Sequence, residues 1–340
     1  MSFDLNTIWF ILVGTLFSGY AMLDGFDLGV GALHLFTRTD VDRRTMLNAI
    51  GPVWDGNEVW LVTGGGALFA AFPDVYATAF SGFYIPFMLL LFALIFRAVA
   101  IEFRSKQESK SWRQAWDISF SAASILAALL IGIALGNIAW GIPLGPDREF
   151  AGTLLGLVRP FPLLVGLTTV ALFVMHGAIY VVLKTEGELH LKARTWVRNG
   201  IIFFIICYAV TTLFTLLYVP HMTVAIKSHP GLFLIPLVTI LAIANIPRAI
   251  HLGNDFQAFI SSCAAIVALL ALFGIGMFPN LIYSYPNPEL SLTIHNAASS
   301  PRTLKIMLIM AGLGIPMVVA YTVSIYWVFR GKVKIESHSY

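Results

Sequence analysis

Nine apolar stretches, each near the ~20 residues that cross a bilayer as a helix, leave this chain few ways to fold. They fall at 6–33, 51–72, 75–102, 117–141, 161–184, 199–220, 231–249, 256–280 and 304–330. Only 11% of the 340 residues are charged, against roughly a quarter in soluble domains, so the chain cannot clothe a water-facing surface. The runs are helix-length rather than the ~10-residue alternating segments of an outer-membrane barrel. The expected fold class is therefore an all-α integral membrane protein of nine transmembrane helices. Residues 1–340 form a single polytopic membrane domain, with no loop long enough for another.

The first segment does not read as a cleaved signal, because Asp4 and no basic residue precedes an overlong apolar run. The least distinct boundary lies at 246–255, where two shorter runs adjoin. Both cysteines, Cys207 and Cys263, fall within apolar runs. No CxxC, CxxCH or Cys/His cluster is present, which excludes disulfide, haem c and structural zinc readings. No metal site is expected, and nothing points to nucleic acid.

Orientation follows from the basic residues. Fifteen Lys and Arg, among them Arg38, Arg43, Arg104, Lys184, Arg248 and Lys332, lie in or beside loops 34–50, 103–116, 185–198, 247–255 and the C-terminal tail. Five lie on the other side: Arg148, Arg159, Lys227, Arg302 and Lys305. The positive-inside rule then predicts the N-terminus outside and the C-terminus in the cytoplasm.

Against this apolar background stand two acidic motifs, Asp24-Gly-Phe-Asp27 in the first helix and Trp54-Asp55-Gly-Asn-Glu58 in the second. An ionisable group in hydrocarbon is costly unless paired, protonated or wetted, so it marks function by default. At 1.5 Å per residue, Asp27 sits about 10 Å and Asp24 about 15 Å from the cytoplasmic end of their helix. Asp55 and Glu58 sit about 6 and 10 Å inside theirs, and Arg97 about 8 Å inside the third. Three helices thus present charge at one level. The acids of each motif are three apart and share a helix face. Gly25, Gly29 and Gly31 let a neighbouring backbone approach that face.

Two readings of this layer stay open on residue type alone. A mixed carboxylate–arginine group holds and passes protons, since burial and a neighbouring guanidinium push a carboxyl pKa in opposite directions. The same residues serve equally as a static ion pair between Arg97 and Asp55 or Glu58, with a role only in assembly. Glu102 and Asp117, at helix ends, read as solvated. His176, in mid-membrane, reads as a packing residue rather than a haem ligand. His34, His190 and His251 sit at cytoplasmic helix ends, where a cation complements the helix dipole. Trp54 and Trp60 flank the second motif and read as packing.

The strings DGFDLGVG, GPVWDGNEVWL, GGALFAAFPDVYATAFSGFY, FRAVAIEFRSK and TEGELHLKAR resemble subunit II of the cytochrome bd quinol oxidases. The resemblance runs nearly end to end and is densest over the first 115 residues. It implies two four-helix bundles plus a peripheral helix, paired as a heterodimer with a haem-bearing subunit I. That complex oxidises quinol and reduces dioxygen to water in the bacterial cytoplasmic membrane, with protons taken from the cytoplasm. Haems b558, b595 and d then belong to subunit I, and no haem ligand is expected on this chain. Proton-path residues of the family match Asp24 or Asp27, Asp55 and Arg97, with Glu58 beside them, and no residue is assigned a catalytic role. Some relatives carry a structural quinone in this subunit, for which no motif here assigns a site. A small single-helix accessory subunit is a further partner of such complexes. The competing functions are a proton-coupled secondary transporter, which favours inverted repeats and mid-membrane broken helices, and a pure assembly scaffold.

Overall fold

The computed structural model describes residues 4–335. The chain enters through α1 (Leu5–Leu33), whose first turn is closed by the Asp4 carboxylate accepting from the Thr7 amide at 2.8 Å. A short amphipathic helix α2 (Asp40–Ile50), capped by Thr39, occupies much of what reads as loop 34–50. The expected second span, 51–72, is α3 (Trp54–Ala71), which stops at Phe72; the expected third, 75–102, is divided, with Pro73 opening α4 (Pro73–Gly82) and a separate helix starting at Tyr84. Proline has no amide to continue a ladder but suits a first helical turn, so the chain ends one helix and begins another there.

Then follow α5 (Tyr84–Phe103), α6 (Lys110–Trp140), α7 (Pro160–Lys184), α8 (Gly187–Tyr218) and the single turn α9 (Val224–Ser228). The chain closes with α10 (Leu234–His251), α11 (Asp255–Met277) and α12 (Pro301–Val328). The indistinct boundary at 246–255 is a tight hairpin. Helix α10 continues through Pro247, Gly253 takes φ +74°, and α11 starts at Asp255. Between α11 and α12 lies a two-stranded antiparallel ladder, β1 (Asn280–Ile282) with β2 (Leu292–Thr293).

Eight helices among the described residues are long and apolar enough to cross a membrane. Helix α3, the expected second span, carrying two acids and a glycine run, is not one of them. Helix α7 is the hub, packed on α1, α6, α8 and α11, while α10 lies on α11. One close backbone crossing, seen from two glycines, holds this core. A Cβ at Gly29 would stand 1.8 Å from the Phe173 carbonyl oxygen, and one at Gly177 2.4 Å from the Gly29 carbonyl carbon. Glycine alone permits helices α1 and α7 to cross so closely.

The basic ends are tied by polar contacts. Asp117 is the centre: its carboxylate accepts from Arg104 Nε at 2.5 Å and Arg43 Nη1 at 2.7 Å, and meets His34 Nε2 at 2.6 Å. Asp40 bridges Arg104 and Arg113 at 2.8 and 3.2 Å. Asp117 is thus buried in an ionic node rather than solvated as its helix-end position suggests, and His34 is buried beside it. The Lys184 ammonium donates to the Phe329 and Gly331 carbonyls, fastening the C-terminal tail to the end of α7.

Helix α12 stands apart. Only Leu304 on it is buried, and it touches chiefly α1 and α3. Two hydrogen bonds pin it: Trp9 Nε1 donates to the Leu304 carbonyl at 2.9 Å, and Tyr326 donates to Asn57 at 2.8 Å. Between the pins runs a groove of about 990 Å³ floored by α1 and α3.

Candidate functional site

Along α1 and its C-cap the residues Tyr20, Asp24, Asp27, Gly31 and His34 recur at spacings of four and three, so they form one stripe. All five are buried. At Gly31 the stripe meets α6 so closely that a Cβ would stand 2.0 Å from Ser124 Oγ. Asp24 and Asp27 therefore face protein and not lipid.

The three-helix layer predicted from loop charges forms in space. Arg97 Nη2, on α5, lies 2.7 Å from Asp24 Oδ1 on α1 and 3.0 Å from Glu58 Oε2 on α3. Arg97 and Asp24 are at most 1% exposed, while Glu58 retains 23%. One guanidinium thus bridges carboxylates from two other helices. A charge so placed depends on its partners, because desolvating it alone costs far more than the pair recovers.

Asp27 is not bonded to Arg97. Its Oδ2 accepts from Asn57 Nδ2 at 2.7 Å, and the same amide reaches the Leu23 carbonyl at 3.3 Å. Asp27 Oδ1 and two nitrogens of Arg97, Nε and Nη1, are buried without a protein hydrogen-bond partner among the described residues.

Asp55 does not join this cluster. It is exposed and lines the groove beside α12, together with Gly56, Asn57 and Tyr326. Of the sequence-derived site residues, Asp24, Asp27, Glu58 and Arg97 come together, and Asp55 turns outward one helical turn before Glu58.

Sequence reasoning missed Asn57 and Tyr326. Asn57 lay inside the quoted WDGNE string, between the two acids. An amide side chain between two acids in an apolar helix was the available signal. Tyr326 is 269 positions distant from its partner, and no local pattern joins them.

His176 is packed, as its sequence context suggests. Its ring stacks on Phe259 at a centroid distance of 5.3 Å, with Nδ1 2.7 Å from Ser262 Oγ and Nε2 donating to the Met22 carbonyl at 2.9 Å. Both ring nitrogens are engaged. No group of three or more His, Cys, Asp or Glu suited to a metal ion occurs among the described residues. Trp60 packs over Gly19, where a Cβ would meet the indole at 2.4 Å.

Comparison with known proteins places the architecture. A profile described as cytochrome bd terminal oxidase subunit II matches residues 5–329. The chain is 36% identical to the cytochrome bd-I ubiquinol oxidase subunit 2 of Escherichia coli K12, across 98% of this chain and 96% of that one. It is 33% identical to the cytochrome bd ubiquinol oxidase subunit 2 of Bacillus subtilis 168, across 97% of each. The bd oxidase structure from Geobacillus thermodenitrificans superposes with a TM-score of 0.80 at 16% identity, covering 96% of this chain and 98% of that chain, so it shares the fold. A multi-pass chain of the bacterial cytoplasmic membrane, it belongs to the cytochrome bd terminal oxidase subunit II family.

Proposed function

We propose that this chain is the non-haem subunit of a respiratory quinol:oxygen oxidoreductase of the bd type. It supports a haem-bearing subunit I and supplies a cytoplasmic proton route for the reduction of dioxygen to water. The observation that carries this reading is the buried Arg97–Asp24–Glu58 bridge with Asp27 one turn away. A purely structural ion pair needs one carboxylate per guanidinium. Here three carboxyl groups crowd one cation, and Asp27 Oδ1 keeps hydrogen-bonding capacity that no group among the described residues uses.

The direction of transfer rests on the loop-charge orientation, with the N-terminus outside and the basic ends in the cytoplasm. Glu58 is the partly exposed member and Asp24 the buried one. Asp55, exposed on α3, is the carboxylate placed to hand a proton to a neighbouring subunit. In this reading haems b558, b595 and d lie in subunit I. This chain would hold no axial ligand: His34 and His176 are the buried histidines among the described residues, and each already holds protein partners. We also assign nine spanning helices, counting α3 as the second and α4 with α5 as the third. One bundle comprises α1, α3, α5 and α6; the other comprises α7, α8, α10 and α11; α12 is peripheral. The packing of α5 on α6, α1 on α3 and α10 on α11 supports this grouping, with α7 joining the two bundles through α1 and α6.

Asp55→Asn in the intact complex tests the route. Assembly with a normal haem spectrum and loss of most quinol oxidase activity is the expected result. Wild-type turnover would refute the proton role of Asp55, and loss of assembly would favour a scaffold. Purification of this chain alone, without a haem-bearing partner, would refute the oxidase assignment.

A further inference from the structure

We infer that Tyr326, on the peripheral helix α12, is a positioning residue for Asp27 and acts through Asn57. The inference rests on the proton-route reading above but adds a residue from a helix that otherwise barely touches the acid layer.

The hydrogen bonds fix every proton along this path. The Leu23 carbonyl and the Asp27 carboxylate are both acceptors, at 3.3 and 2.7 Å from one end of the Asn57 side chain. That end must therefore be the amide nitrogen, and the carbonyl oxygen must face away. The oxygen meets the Tyr326 hydroxyl at 2.8 Å, and an amide oxygen only accepts, so the phenol donates. Asn57 is 2% exposed, so its amide depends on these protein partners.

Chain polarity along Tyr326–Asn57–Asp27 is thus set from α12 inward. A donated hydrogen bond at Oδ1 polarises the amide and strengthens the N–H that holds Asp27, as linked hydrogen bonds in a low-dielectric interior do. It also locks the amide against rotation. Without the phenol, Asn57 has one end bonded and one end buried and unpaired, and the orientation of Asp27 loosens. Docking of α12 at its tail end, where Lys184 grips the Phe329 carbonyl, is what brings Tyr326 to this position. The last helix therefore sets the geometry of a carboxylate on the first.

Three variants of the heterodimeric complex test this: Tyr326→Phe, Asn57→Ala and the double variant, with Asp27→Asn as reference. The infrared carboxyl or carboxylate band that Asp27→Asn abolishes should shift in Tyr326→Phe. Quinol oxidase turnover should fall roughly fivefold, the worth of one hydrogen bond. The double variant should be no slower than Asn57→Ala, because the two residues act in series. An unmoved Asp27 band in Tyr326→Phe, or independent losses that multiply in the double variant, would overturn the inference. If Tyr326→Phe does not assemble, an Asp27 band unchanged by Asn57→Ala overturns it equally. Wild-type turnover in Asp27→Asn, with the band still shifted by Tyr326→Phe, would instead refute the proton route and leave the positioning intact.

Discussion

Arg97 and Asp24, on helices 73 positions apart in sequence, meet as an ion pair of 2.7 Å with both side chains fully enclosed. The pair decides how α1, α3 and α5 can sit, because neither charge tolerates burial alone. Arg97→Ala strands Asp24 without a cation and removes the partner of Glu58. Loss of one member of a buried pair costs about 3–5 kcal/mol, so the variant should give a lower thermal midpoint and a poor yield of complex. Arg97→Lys should be intermediate, because a compact ammonium cannot span two carboxylates as a planar guanidinium does.

Gly29→Ala should fail to assemble, since its methyl would overlap the Phe173 carbonyl at 1.8 Å, a backbone atom with no room to move. Gly14→Ala, on the same helix with nothing within 4 Å, is the control. It should be neutral or slightly stabilising, as alanine in a helix interior is favoured over glycine by roughly 0.5–1 kcal/mol. Detergent-solubilised yield and melting temperature check both.

Asp117→Asn should unfasten the basic end of α6. Three cationic or cation-capable groups, His34, Arg43 and Arg104, share that one carboxylate. Removing its charge should destabilise by about 3–5 kcal/mol. It should also open the 104–110 segment to limited proteolysis before the rest of the chain.

A pH effect is expected at the opposite end. His221 stacks on Tyr283 at 3.8 Å and donates Nε2–H to the Ala139 carbonyl at 2.9 Å. Burial lowers its pKa below the ordinary 6.5. The folded chain thus keeps the ring neutral while an unfolded chain takes up a proton near that value. This contribution is present above about pH 6.5 and is lost as the pH falls below it. The melting temperature should drop between pH 7 and 5, and His221→Gln should flatten that drop.

The elements most legible in the sequence were those governed by local rules. The helix spans follow from apolar run length, and the level of Asp24, Glu58 and Arg97 follows from rise per residue plus loop charge. What escaped was decided by neighbours distant in sequence. Asp117 sits near a helix end and reads as solvated, yet the loop bearing Arg104 and helix α2 bearing Arg43 fold over it. Asp55 and Glu58 share a motif and a helix face. One turn apart, however, they diverge, because α5 covers one and only the open groove meets the other. The third span read as one apolar run from 75 to 102, since the break at Phe83 between α4 and α5 falls in a strongly hydrophobic context.

Proton uptake by the assembled, fully reduced complex on mixing with oxygen, followed by a pH indicator, tests the central claim most directly. In Asp27→Asn the haem spectrum should be normal and quinol should still reduce the haems, while uptake slows at least tenfold, or about 1.4 kcal/mol in barrier. Uptake at the wild-type rate from an intact Asp27→Asn complex would contradict the proton route.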